Sequence, residues 1–110
     1  MAMKADHFTE RSSIERFDQI VNVGPAMSDD FERLGLEGPK DLIGKNAMDL
    51  YEQICEVDQT FHDPCVLDVY MATIDYMNGN PPQAWWKFTG HRKKKYEKEV
   101  NLLRQRSWIN

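Results

Sequence analysis

The side chains of this 110-residue chain best suited to chemistry are Cys55, His62, Asp63 and Cys65. Thiolate, imidazole and carboxylate are all zinc ligands, so Cys-x6-His-Asp-x-Cys offers three or four of them. The spacing matches no common zinc finger, and there is no Cys-x-x-Cys pair. Cys65 can also be read as a nucleophile, with His62 as base and a helix start to favour the thiolate. No third group is placed to orient His62. Cys55 falls on the apolar stripe of its own helix, and Asp63 reads as a helix cap. The expectation is therefore two small core cysteines, with no metal and, in a reducing compartment, no disulfide. No Ser-His-Asp order, phosphate loop, dinucleotide fingerprint or glutamate–histidine zinc motif occurs, so the chain is expected to be non-catalytic and to need no cofactor.

The second chemistry available is anion binding. The net charge of −4 argues against a nucleic-acid binder, but it is an average over two unlike parts. Residues 1–90 hold seven Lys and Arg against 16 Asp and Glu, a net of −9; residues 91–110 hold seven against two, a net of +5. The basic run is His91-Arg92-Lys93-Lys94-Lys95-Tyr96. Such a segment either reaches outward to an anion or pairs with the chain's own acidic body. Just before it, Trp85-Trp86-Lys87-Phe88 has the makings of a stacking platform with a cationic rail, which suits single-stranded nucleic acid. The plainer reading makes one tryptophan a core plug and leaves the other half-exposed. Trp108 is expected to dock the last helix or to make a self-association contact.

These residues need elements to position them. The length allows one domain, and the 41% hydrophobic and 29% charged composition is that of a globular protein. No apolar run of about 18 residues is present, so no membrane span is expected. Met1-Ala2-Met3-Lys4-Ala5-Asp6 lacks an apolar signal stretch, so the expected compartment is the cytoplasm. Residues 1–11 show no periodicity and are expected to form a loose arm. Ser12 or Ser13 is expected to cap a first helix with Ile14, Phe17, Ile20 and Val21 on one face, stopping at Asn22-Val23-Gly24-Pro25. A second helix starts at Pro25 and carries Met27, Phe31 and Leu34, with Gly35 as its left-handed cap. Gly38 to Gly44 reads as a short helical turn. Asn46 caps a helix with Ala47, Leu50, Tyr51, Ile54 and Cys55 inward. Asp63-Pro64 starts another, with Val66, Val69, Tyr70, Thr73, Ile74 and Met77 on one face, ended by Gly79-Asn80-Pro81-Pro82. The last helix is expected over about His91–Arg106, with Tyr96, Val100 and Leu103 aligned. No segment alternates long enough to be a strand, so the fold class is all-α.

Ile20 to Leu36 resembles a helix-hairpin-helix. Val23-Gly24, Ser28, Phe31 and Gly35-Leu36 match its pattern, and Asn22 stands where the first glycine is usual. Asn tolerates a positive φ better than other non-glycine residues. Further along, Gly24-Pro25-Ala26-Met27, Asp49-Leu50-Tyr51-Glu52, Asp63-Pro64-Cys65-Val66-Leu67-Asp68-Val69-Tyr70 and Trp85-Trp86-Lys87-Phe88 resemble a bacterial family named for a pathogenicity locus, often labelled mitomycin-resistance proteins. The resemblance covers about residues 14–95. It implies a compact helical domain carrying one helix-hairpin-helix. Together with the helices read above, the expected architecture is a SAM-domain-like bundle of about five short helices over 12–90, built around a helix-hairpin-helix at about residues 14–36, followed by a basic C-terminal helix over 91–110.

The hairpin's physical use is backbone phosphate binding, because the first N–H groups of a helix lack internal partners and its dipole favours an anion there. The donors would be Gly24, Ala26 and Met27, with Lys40 and Lys45 adding positive field and Arg92, Lys93, Lys94 and Lys95 a second, salt-sensitive contact. Asp29 and Asp30 oppose a phosphate at that turn. The expected function is thus a DNA-associated module without strong sequence preference. The rival is a protein-interaction module, with the hairpin as scaffold and the acidic surface or the Trp85/Trp86 patch as the contact.

Overall fold

The computed structural model describes residues 4–108, so the ends of the expected arm and of the expected last helix, 1–3 and 109–110, lie outside the described residues. Among the described residues there are four α-helices and no strand: α1 Pro25–Arg33, α2 Ala47–Asp58, α3 Cys65–Met77 and α4 Thr89–Gln105. Short 3-10 turns lie at Arg11–Ser13, Phe17–Gln19, Pro39–Leu42 and Trp85–Phe88.

The expected first helix is replaced by two 3-10 turns joined by extended backbone at Ile14 and Arg16. The physical reason is the spacing of the core residues. Ile14, Phe17, Ile20 and Val23 recur every third residue, and all four are buried. A turn of three residues keeps them on one side, whereas a 3.6-residue helix drifts and would have used Val21. The Gln19 side chain holds the arrangement, its Oε1 accepting from the Glu15 and Arg16 N–H groups at 2.9 and 2.8 Å.

The arm also departs from expectation, because residues 4–11 are bonded to the body. Lys4 Nζ donates to the Asp18 and Val23 carbonyls, each at 2.6 Å, and Ala5 N–H donates to Gln19 O at 2.7 Å. The Tyr76 hydroxyl donates to Asp6 O at 2.6 Å. Arg11 donates to Tyr76 O and Asn80 O at 2.8 and 2.9 Å, with its guanidinium 3.8 Å from the Tyr76 ring centroid. These carbonyls close the C-terminal end of α3, where backbone acceptors lack partners within the helix.

The remaining signals act as read. Pro25 opens α1, and Gly35 at φ +86° closes it, with Leu36 N–H on Phe31 O at 3.1 Å. Asn46 caps α2, its Oδ1 accepting from Asp49 N–H at 3.0 Å. Asp63 Oδ1 accepts from Cys65 N–H at 2.8 Å at the start of α3. Asn22 takes φ 74°, and its side chain ties the later loop: Nδ2 donates to Gln83 O at 2.7 Å, and Oδ1 accepts from Trp85 N–H at 3.2 Å.

Helix α3 is central. Its expected stripe is buried apart from half-buried Val66, but so are Leu67, Asp68, Ala72 and Tyr76 on other faces. Phe31 of α1 packs between Phe17 and Tyr70, with ring centroids 5.1 Å apart in both pairs. Val100 and Leu103 bring α4 onto the same core, and Trp108 docks that helix end, its Nε1 donating to Leu103 O at 3.2 Å.

Candidate nucleic-acid interface

The residues expected to touch DNA separate into three groups. At the turn before α1, Gly24 is half-buried with extended backbone, Ala26 is exposed, and Met27 packs partly against the core. Ser28 N–H already donates to Gly24 O at 3.0 Å, as the first bond of the helix. The surface beside this turn is acidic. A groove of about 310 Å³ there is lined by Glu15, Asp18, Glu32 and Glu37 together with Arg16, whose Nε is 3.0 Å from Asp18. A neighbouring groove of about 350 Å³ shares Glu15 and Glu37 and adds Asp41. Lys40 lines this second groove, so its charge stands among carboxylates.

Asp29 and Asp30 are held by Arg33, at 2.9 and 2.7 Å, and Arg33 also pairs with Asp58 of α2. The three carboxylates hold the Arg33 proton more firmly than usual. Asp58 in turn accepts Arg33 and meets His62 Nε2 at 2.7 Å, which keeps its carboxyl below the usual carboxylate range. Tyr70 OH donates to Asp30 Oδ2 at 3.0 Å. This network joins α1, α2 and α3, and it engages both the acids that would repel a phosphate and the arginine that could have attracted one.

Arg92 does not reach solvent as expected. It is 7% exposed, and its Nε donates at 2.6 Å to Oδ1 of Asp68, which is 0% exposed. Thr89 Oγ1 donates to the other Asp68 oxygen at 2.7 Å. Position 92 lies on the helix face that meets α3, so the basic run is divided by helix geometry. Arg92 turns inward, and Lys93, Lys94 and Lys95 are exposed. Arg106, at the other end of α4, folds back to Glu52 at 3.1 Å.

The third group is assembled by the tertiary structure. Lys45, in the loop before α2, and His91 and Lys95, one turn apart on α4, line one cleft of about 260 Å³. The loop is anchored by Gly44 N–H on Asn78 Oδ1 at 3.0 Å. Phe88 and Tyr96 supply aromatic walls, and Lys95 Nζ lies 5.3 Å from the Tyr96 ring centroid. Asp75 is the one carboxylate in the lining, and its Oδ1 accepts from Asn80 Nδ2 at 2.9 Å. Among the described residues, Lys45, His91 and Lys95 make no ion pair. Of these three side chains the sequence pointed to Lys45 and Lys95 as contacts. His91 was read only as the start of the basic run, although its i,i+4 spacing to Lys95 puts both on one face of a helix.

Of the two cysteines expected in the core, Cys55 lies there and Cys65 is only half-buried, at the first position of α3. Cys55 is buried, and burial pushes its thiol up. Partial burial and the Asp63 carboxylate push Cys65 up as well, which opposes a thiolate. His62 is engaged by Asp58, and among the described residues no three His, Cys, Asp or Glu side chains gather as metal ligands. Trp85 and Trp86 meet edge to face at 5.8 Å, with Trp86 62% exposed.

The fold and these surfaces define a small all-helical module, acidic around α1 and carrying exposed lysines along α4. A model of the family described as "Pathogenicity locus" matches residues 10–94, and the chain belongs to that family. It is also 35% identical over 75 residues to "Mitomycin resistance protein McrB" of Streptomyces lavendulae, covering 68% of this chain and 71% of that protein. No solved structure matches the chain. No helix among the described residues is long and apolar enough to cross a membrane.

Proposed function

We propose that this protein is a non-catalytic, DNA-associated module that binds phosphate backbone without strong sequence preference, and that it does so through the α4 side of the molecule. The observation that carries this reading is the division of cations. Arg16, Arg33, Arg92 and Arg106 are each spent on a carboxylate, while Lys45, Lys93, Lys94 and Lys95 are exposed and make no ion pair among the described residues. Such lysines offer salt-sensitive contacts to phosphates. The turn at Gly24 is the weaker donor site, since Glu15, Asp18, Glu32 and Glu37 line the groove bordered by Ser28 in the first turn of α1. The helix-hairpin-helix resemblance is kept for the Asn22 turn and α1 alone. By likeness to the Streptomyces relative, the same module is proposed to contribute to mitomycin resistance.

Anisotropy of labelled single-stranded and duplex DNA at 50 and 200 mM salt tests the reading. The expected result is micromolar binding that weakens steeply with salt and is lost when Lys93, Lys94 and Lys95 are changed to Glu. Binding unaltered by that triple change, or absent at low salt, would refute it. A second reading, a docking face for a basic protein partner, is favoured by the two adjoining grooves that share Glu15 and Glu37.

A further inference from the structure

The geometry points to the cleft between the start of α2, the end of α3 and the first turns of α4 as a site for one unpaired nucleotide of a DNA strand. Its phosphate would lie on Lys45, His91 and Lys95, and its base against Tyr96 and Phe88. The inference rests on the DNA-binding reading and narrows it to single-stranded or frayed DNA.

Three observations support it. The three nitrogen-bearing side chains come from two elements far apart in sequence and line one shallow cleft. The cleft opens beside the capped first turn of α2, whose dipole adds to the positive field. The aromatic walls adjoin the cations, with Lys95 Nζ over the Tyr96 ring. A phosphate on Lys95 and a base against Tyr96 can therefore belong to the same nucleotide. A volume of about 260 Å³ lies just below the range of ~300–1,000 Å³ usual for small-ligand pockets. Paired bases are stacked inside a duplex and have no use for an aromatic wall, whereas every unpaired base has a π-face to offer. Asp75 works against the phosphate from within the cleft, which makes it a useful control.

The test uses the full chain with an eight-residue oligothymidine and an eight-base-pair duplex at 50 mM salt, followed by anisotropy. Thermal melts establish that each variant is folded. The expected results are preference for the single strand, and a loss of about tenfold in its affinity for Lys45→Gln, Lys95→Gln and Tyr96→Leu. Tyr96→Phe, which keeps the ring, should retain affinity. Asp75→Asn should tighten binding by about two- to fivefold, as expected for removing one like charge near the phosphate. Equal affinity for strand and duplex would overturn the cleft proposal. So would cleft variants that bind normally while Lys93→Gln with Lys94→Gln abolishes binding, although the DNA reading would then survive. Absence of binding to either DNA at low salt would overturn both.

Discussion

The Asp68–Arg92 pair allows structure and binding to be separated within one basic run. Asp68 is fully buried and accepts from both Arg92 Nε at 2.6 Å and Thr89 Oγ1 at 2.7 Å. Changing Asp68 to Ala leaves a buried guanidinium with no counter-charge, a defect that costs about 3–5 kcal/mol. A domain of this size has a total stability of roughly 5–15 kcal/mol. With a urea slope of about 1.2 kcal/mol/M, the midpoint should therefore fall by about 3 M. Arg92→Met should also destabilise, because it strands the Asp68 carboxylate, yet it should leave DNA affinity within about twofold of the parent under conditions where it is folded. Lys95→Gln should do the reverse, weakening DNA binding with no change in the urea midpoint. Combining Asp68→Leu with Arg92→Met removes both charges and should recover most of the loss, since an apolar pair of similar volume commonly replaces a buried ion pair without harm. Urea unfolding followed by circular dichroism measures the first effect, and anisotropy the second. The reasoning fails if Asp68→Ala shifts the midpoint by less than about 0.5 M, or if Arg92→Met is stable and loses DNA affinity as Lys95→Gln does.

Two further outcomes are expected from the same contacts. Asn22→Ala should cost about 2–4 kcal/mol in urea unfolding, combining a positive φ with loss of the bonds to Gln83 O and Trp85 N–H. Asn22→Gly keeps the backbone geometry and should recover about half of that; equal losses for both variants would show that φ is unimportant there. Asp58 has its carboxyl lowered by Arg33 first and then by His62, so its contribution is complete above its ordinary value of 3.8 and fades as pH falls through the lowered folded-state value. The gap between the parent and Asp58→Asn, about 1 kcal/mol near pH 7, should accordingly close below about pH 4 in pH-dependent melts, and a gap that stays constant down to pH 2 would refute the assignment.

What the sequence determined by itself is local. Pro25, Gly35, Asn46, Asp63 and Gly79 mark helix ends and turns through φ preferences and side-chain caps that act within a few residues, and each does so in the folded protein. The apolar stripes of α2 and α3 likewise follow from a 3.6-residue period, and the four blocks around Gly24, Asp49, Asp63 and Trp85 were enough to reach the family. Where the period was three, as at Ile14, Phe17, Ile20 and Val23, the same reasoning expected a helix. Stripe and turn differ there by one side chain, Val21 or Val23, and only burial in the tertiary core, which takes in Val23, chooses between them. The arm at 4–11 carries no periodic signal, because what orders it is hydrogen bonds to groups distant in sequence, among them the Tyr76 carbonyl and hydroxyl.

The basic segment shows the same division at the level of the site. Its charge was legible, but whether it reached outward or folded back was not, since that depends on which residues of α4 face α3. In the fold it does both. Arg92 and Arg106 turn to Asp68 and Glu52, and the lysines between them stay exposed, with no ion pair among the described residues. Helical geometry spaces the side chains at about 100° intervals, and only the position of α3 decides which of those directions is inward. The meeting of Lys45 with His91 and Lys95 likewise belongs to the tertiary structure alone, because more than forty residues separate them in sequence and nothing local brings them together.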